Sequence, residues 1–84
     1  MNENRTHTEE FHVNGEQLLA KIKELIHEGN IRRIIIKDKD GKTVMEIPLT
    51  IGVVGVVLAP TLAAVGAIAA LVSEATVVVE KIEE

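Results

Sequence analysis

The pattern of hydrophobic and polar positions predicts five regular elements, and the first is a helix over residues 15 to 28. Asn14 stands at its N-cap, and Gln17 occupies the position of a capping-box partner. Gly29 and Asn30 supply a left-handed stop after the helix. The apolar positions recur at helical spacing and are Leu18, Leu19, Ile22, Leu25 and Ile26. The pattern therefore indicates an amphipathic helix with one buried side.

The segment IRRIIIKDKDGKTVMEIPL alternates on both sides of a turn signal and predicts a β-hairpin. The Asp40-Gly41 pair favours a two-residue type I′ turn. That turn sets Ile36 opposite Met45 and Ile34 opposite Ile47. In this register one face is apolar and carries Ile34, Ile36, Met45, Ile47 and Leu49. The other face is mostly polar, so we expect a sheet with one buried side.

The third pattern is an apolar stretch over residues 47 to 73 that contains no charged side chain. Small residues recur in it at steps of three and four, at Gly52, Gly55, Ala59, Ala63, Gly66 and Ala70. A bulkier stripe follows the same spacing at Leu58, Leu62, Val65, Ala69 and Val72. Both stripes predict a long Gly/Ala-rich helix, which Pro60 either kinks or begins. The valine pairs before Pro60 suit a helix or a strand, so residues 51 to 58 remain open between the two.

The final segment, residues 75 to 82, is rich in valine and predicts a third strand. The element order is then α-β-β-α-β. A right-handed crossover through the apolar helix would place the third strand antiparallel to the first. The sequence therefore predicts an α+β fold with a three-stranded antiparallel sheet in the order 2-1-3. An amphipathic helix and the long apolar helix would cover it.

Composition limits the domain organisation and the class of partner. With 84 residues the chain makes one domain, which we place at residues 11 to 84 after a disordered polar tail at residues 1 to 10. The tail has no apolar core of a signal peptide, so we expect a cytoplasmic protein. The net charge of -4 and the single aromatic residue, Phe11, argue against a nucleic-acid partner. Because there is no cysteine, oligomerisation or membrane contact is the expected supplement to a small core.

Candidate chemistry is sparse. His7, Glu9, Glu10 and His12 match no metal-ligand spacing, and Ser73 is the sole serine in a chain without cysteine or tyrosine. We therefore expect no catalytic residue, no cofactor, no metal and no small-molecule substrate, hence no enzyme. A basic set in the hairpin could contact an acidic partner or anionic lipid, or form a solvated strand surface. Its members are Arg32, Arg33, Lys37, Lys39 and Lys42.

Three functional hypotheses follow from the apolar stretch. The first is a structural or interaction protein that self-associates through the small stripe, because small side chains let a second backbone approach closely. The second is a membrane-associated protein with residues 50 to 72 inserted; glycines, Thr61 and Pro60 bring insertion close to threshold. The third is a carrier that holds an apolar ligand in a groove beside the small stripe.

Several segments together resemble one known family. They are the helix end HEGN, the strand IRRIIIK, and the segments IPLTIGVVG, LAPTLAAVGAIAAL and TVVVE. In this order they resemble a family of small bacterial proteins defined only as a domain of unknown function, DUF4342. The resemblance covers residues 11 to 80. It implies a domain of that extent, and no activity, cofactor or catalytic residue.

Overall fold

The computed structural model describes residues 6 to 49 and 54 to 82, and within the second helix it describes side chains from Pro60 onward. The chain passes through strand β1, helix α1, strands β2 and β3, helix α2 and strand β4. In that order the elements span Thr6–Asn14, Gly15–Ile26, Ile31–Lys37, Thr43–Pro48, Val54–Leu71 and Glu74–Ile82. The α+β class predicted from the sequence is confirmed.

The sheet differs from the prediction. It has four strands in the order β1-β4-β2-β3, and every neighbouring pair is antiparallel. The predicted three-stranded sheet is therefore wrong in its number of strands, whereas the three predicted strands keep the predicted relative order, here β3-β2-β4. Helix α1 connects β1 to β2 across β4, and helix α2 connects β3 to β4 across β2. Two interleaved β-α-β crossovers thus build the fold.

The missing strand, β1, lies where the sequence predicted a polar tail. Residues 6 to 10 form its first half, and the pairing with β4 runs without a break from Thr6 opposite Ile82 to Asn14 opposite Glu74. The tail prediction is wrong for these residues, while residues 1 to 5 lie outside the described residues. The domain therefore begins earlier than residue 11.

The hydropathy pattern does not indicate strand β1 because many of its side chains are polar. From His7 onward, every second residue of β1 is half-buried on the face that the helices cover. Two of these inward residues, His7 and Glu9, have polar or charged side chains. Both have charged or polar neighbours: His7 Nε2 lies 2.9 Å from one Glu9 carboxylate oxygen, and Lys81 Nζ lies 3.2 Å from the other. Phe11 and Val13 supply the apolar contacts.

Helix α1 begins as the sequence predicts. The Gln17 N–H donates to Asn14 Oδ1 at 2.8 Å, and the Asn14 N–H donates to Gln17 Oε1 at 3.2 Å, which completes the capping box. Gly29 adopts a positive φ of 83° just after the helix, as a left-handed stop requires. The buried residues of the helix are Gly15, Leu18, Ile22 and Leu25.

Strands β2 and β3 pair in the predicted register, with Ile34 opposite Ile47 and Ile36 opposite Met45. The same alignment continues into β4, where Ile34 faces Val79. These isoleucines and valines lie on the side of the sheet that the helices cover. The apolar face assigned from the sequence is thus the buried face.

Between the paired residues Asp38 and Lys42, the hairpin turn encloses three residues, 39 to 41, rather than two. The Gly41 N–H donates to the Asp38 carbonyl at 3.0 Å, and the Asp38 N–H donates to the Lys42 carbonyl at 2.9 Å. A type I′ turn needs positive φ at both central residues, but φ is positive at Gly41 and not at Asp40. Asp38 Oδ1 also accepts from the Asp40 N–H, which holds the wider turn. A bulge next to Lys37 restores the register.

Helix α2 has 18 residues and is about 27 Å long at 1.5 Å per residue. The predicted long apolar helix is therefore wrong in extent: two helices of moderate length, α1 and α2, cover the sheet. Pro60 lies inside α2, so residues 54 to 58 are helix rather than strand. Residues 51 to 53 lie outside the described residues.

The start of α1 lies in close backbone contact with the end of α2 at Gly15. Its N–H donates to the Ser73 carbonyl at 3.2 Å. A Cβ atom on Gly15 would lie 2.3 Å from the carbonyl oxygen of Val72 and 2.6 Å from that of Ala69. Because both neighbours are backbone atoms, glycine is the residue that fits here.

One buried cluster joins the helices to the sheet. Its fully buried large side chains come from α1, from the central strands and, through Val65, from α2. The cluster consists of Leu18, Ile22, Leu25, Ile31, Ile34, Ile36, Ile47, Val65, Ala75, Val77 and Val79. Since these residues lie on one face of the sheet, the fold has two layers with a single core.

Candidate functional site

In the part of helix α2 whose side chains are described, one side is exposed and apolar. From Pro60 onward, the exposed positions recur at helical spacing and define what we call the outer face of α2: Pro60, Ala63, Ala64, Ala67, Ala70 and Leu71. Leu71 is 86% exposed. The helix contains no charged residue from Val54 to Leu71. Such an all-apolar surface is typical of a helix that is covered on all sides.

The opposite side of α2 faces the core. Val65 is fully buried, and Leu62, Ile68, Ala69 and Val72 pack against the cluster around it. Apart from Ile68, these residues are the described part of the bulkier stripe identified in the sequence. From Pro60 onward, the outer face therefore takes no part in the packing of α2 on its own domain.

The small stripe predicted for self-association divides into three parts. Gly52 lies outside the described residues, and Gly55 and Ala59 lie in the helical backbone of α2 before the described side chains begin. Ala63 and Ala70 are exposed on the outer face, and Gly66 lies half-buried at its border. A Cβ atom on Gly66 would meet nothing within 4 Å. The described stripe thus points away from the domain's own core.

The sequence missed the breadth of this surface. Ala64, Ala67 and Leu71 share the outer face with the stripe, although none was assigned to it. Each stands one residue after a member of the stripe, at Ala63, Gly66 or Ala70. On a broad helical side, the residue that directly follows a member of the stripe can also be exposed. The apolar residues at these following positions are the sequence signal that could have located them.

The basic residues of the hairpin are not gathered into one patch. Arg32 lies at an irregularity at the start of β2, and Arg33 is paired with Glu46, with Nε and the carboxylate oxygen 3.2 Å apart. Lys37 ends the strand, and Lys39 and Lys42 lie in or beside the loop. Because β2 spans roughly 20 Å, the two ends are well separated. A contact with an anionic partner stays a prediction.

A groove of about 610 Å³ lies between β1 and α1. Phe11 and Val13 form its apolar floor, and Ala20 and Lys21 lie on the helix side. Lys21 Nζ sits 4.0 Å from the centre of the Phe11 ring, a cation-π contact. The groove adjoins the free edge of β1 and not the small stripe of α2, where an apolar ligand was predicted.

An ion-pair cluster connects β1, the turn that follows α1, and β4. Lys81 Nζ lies 3.2 Å from Glu9 and 3.1 Å from Glu28. The hydrogen bond from His7, followed by that from Lys81, lowers the pKa of Glu9 below its ordinary value. Hydrogen bonds to Glu28 and then Glu9 raise the pKa of Lys81. The cluster therefore favours the charged forms of both groups.

The described residues contain neither a cluster of metal-ligating side chains nor a membrane-spanning helix. No group of three or more metal-ligating side chains occurs there, and along β1 His7 and Glu9 lie on the opposite face from Glu10 and His12. Across the same part of the chain, no helix has both the length and the apolar character needed to span a bilayer.

Comparison with known proteins gives the family. A family model described as a domain of unknown function, DUF4342, matches residues 4–81. No match is found among curated proteins or among solved structures. The matched range includes all six elements, from β1 to all but the last residue of β4. The chain therefore belongs to the DUF4342 family.

Proposed function

We propose that this chain is a non-enzymatic structural protein that self-associates through the outer face of α2 into a homo-oligomer. The single observation that carries the proposal is the exposure of this all-apolar helical surface. Monomeric proteins rarely expose contiguous apolar patches beyond a few hundred Å², and larger patches mark interaction surfaces. A second copy of the chain offers the same apolar surface, and self-complementary faces are the basis of two-fold association.

The size of the side chains supports close helix packing. Four of the six residues on the outer face are alanines, and Gly66 lies at its border. Helices pack at 8 to 10 Å depending on the residues between them, and small residues allow the short end of that range. Removal of apolar surface from water contributes about 25 cal/mol per Å², which adds to the modest core of an 84-residue domain.

The proposal is tested by placing one charge on the outer face. Ala67→Glu keeps a good helix former at an exposed position, so the monomer should fold as before. The carboxylate would be desolvated without a partner if a second copy packed there. We expect light scattering after size-exclusion chromatography without detergent to report a larger assembly for the wild type than for Ala67→Glu.

The matched control is Val44→Glu, which places the same charge on a 44% exposed apolar residue outside α2. We expect it to associate as the wild type does. Circular dichroism and thermal melting confirm that both variants are folded. An Ala67→Glu protein that associates like the wild type would remove the basis of the proposal, as would a wild type that is monomeric at all concentrations.

A further inference from the structure

We infer a second interaction surface at the free edge of β1, where β1 of another copy adds antiparallel, with Phe11 opposite Phe11 on the two-fold axis. The two sheets would then continue into one sheet of eight strands. This surface shares no residue with the outer face of α2. It therefore goes beyond the function proposed above and stands or falls separately.

The two edges of the sheet differ in how they are protected. Edge strands present unpaired backbone N–H and C=O groups, and proteins block them with proline, lysine, bulges or short strands. Edge strand β3 ends in Pro48 and carries a bulge against β2. Edge strand β1 has nine residues, a continuous register with β4, no proline and no lysine. Within the described residues, β1 pairs with β4 and its other edge meets no strand.

The sequence of β1 is complementary to itself in one register. With Phe11 on the axis, Glu10 lies opposite His12 of the second copy, twice in the dimer, on the face away from the helices. Seven residues of each strand, from Thr8 to Asn14, then pair. The register centred on Glu10 would instead oppose two carboxylates, which is destabilising. The register centred on Glu9 would likewise place two carboxylates opposite each other.

The groove beside β1 accommodates the second copy. Phe11, the sole aromatic residue of the chain, lies half-buried in it and has Lys21 above its ring. In the proposed register the two Phe11 side chains become direct cross-strand neighbours, an arrangement that aromatic pairs favour. The two grooves merge around them.

The helices also fit this arrangement. Helix α1 contacts both β1 and β4, so it lies above that pair of strands. With strands about 4.8 Å apart, the second α1 would run alongside at about 10 Å, a normal helix packing distance. The side of α1 that lines the groove carries Gln17, Ala20, Lys21 and Glu24. Small Ala20 allows the approach, and Lys21 and Glu24 provide opposite charges across a two-fold axis.

Cysteine cross-linking tests both the pairing and its register, because the chain has no native cysteine. Glu10→Cys and His12→Cys each replace an exposed residue, which spares the core. We mix the two folded proteins under mild oxidation and identify disulfide dimers by mass. The mixture should form the hetero-disulfide at least several-fold faster than either protein alone forms its homo-disulfide. Val44→Cys, on the other edge strand, supplies the collisional baseline.

Two results would overturn the inference. Glu10→Cys that cross-links to itself faster than to His12→Cys indicates the register centred on Glu10. Cross-linking at the Val44→Cys baseline in every combination indicates no edge pairing. The experiment is repeated with Ala67→Glu in both proteins, where the hetero-disulfide should persist. Loss of the hetero-disulfide in these variants would show that pairing of the β1 edges depends on association through α2. If association through α2 is disproved but the hetero-disulfide still forms, the edge pairing holds and the proposed function does not.

Discussion

At Gly15, the absence of a methyl group decides how closely α1 approaches the end of α2. The carbonyl oxygens of Val72 and Ala69 occupy the space that a Cβ atom would need, and the Gly15 N–H donates to Ser73 in the same contact. Helical backbone cannot move away from a new atom as a flexible side chain can. The position therefore couples the start of one helix to the end of the other.

Gly15→Ala should destabilise the fold by roughly 1 to 3 kcal/mol, the usual cost of overpacking. Chemical denaturation followed by circular dichroism measures the change in the free energy of unfolding. Gly66→Ala is the matched control, since a Cβ atom there meets open space in the monomer. That variant should be neutral or more stable by about 1 kcal/mol, because alanine is the better helix former. Equal losses in both variants would contradict the close contact at Gly15.

The cluster around Lys81 predicts how stability depends on pH. The pKa of Glu9 is lowered from 4.5, so its contribution is present above that value and is lost as the pH falls through the lower pKa of the folded state. The pKa of Lys81 is raised from 10.5, so its contribution is lost as the pH rises through the higher pKa of the folded state. Between these limits both contributions are constant.

Glu9→Gln should therefore melt at a lower temperature than the wild type near neutral pH and lose less stability on acidification below pH 4.5. Thermal melting as a function of pH measures both effects. Glu10→Gln removes the neighbouring carboxylate, which is exposed on the opposite face of β1. It should keep the acid sensitivity of the wild type. If Glu9→Gln and Glu10→Gln give the same curve, the ion pairs of Glu9 do not contribute.

At the scale of elements, α2 separates its contacts cleanly into an inner and an outer side. Val65 anchors the inner side in the core, and Ala63 and Ala70 lie on the outer face. Substitutions on the outer face therefore report on association between copies, while the monomer's own packing is left intact.

Ala63→Leu adds bulk to the outer face without adding charge. In a close-packed helix pair it should cost roughly 1 to 3 kcal/mol of association free energy. The unfolding free energy of the monomeric form should change little, because position 63 is exposed in the monomer. Sedimentation equilibrium compares its association constant with that of the wild type. Association of undiminished strength would mean that no second backbone approaches Ala63.

Local signals in the sequence predicted the elements whose structure is locally determined. The capping box of Asn14 and Gln17, the stop at Gly29 and the pairing of Ile34 with Ile47 all depend on residues close in the chain. Strand β1 was missed because it depends on β4, more than sixty residues away, and because Lys81 satisfies its inward Glu9. The predicted sheet therefore lacked this fourth strand at its edge.

The candidate site was predictable in part, for a related reason. Steps of three and four located Ala63, Gly66 and Ala70, but spacing alone does not set the width of an exposed surface. Because Val65 points into the core, the residues on the opposite side of the helix are exposed, and Ala67 is one of them. The hairpin loop shows the same limit, since the turn signal at Gly41 was correct while the loop length depended on hydrogen bonds to Asp38.

At the scale of the whole molecule, the proposals give one small domain two separate surfaces for copies of itself. The outer face of α2 lies on the helix layer, and the free edge of β1 ends the sheet. Two different two-fold contacts on one chain generate either a closed ring or an extended assembly, depending on how the axes are oriented. Blocking one surface should leave dimers formed by the other.

The most direct test of the central claim, self-association through α2, is the mass of the wild-type chain and of Ala67→Glu measured by sedimentation equilibrium in detergent-free buffer over a dilution series. We predict that the mass of the wild type exceeds the 9.1 kDa of one chain and falls with dilution. The mass of Ala67→Glu should be lower at every concentration. A wild type that stays at 9.1 kDa throughout, or two curves that coincide, would contradict the claim.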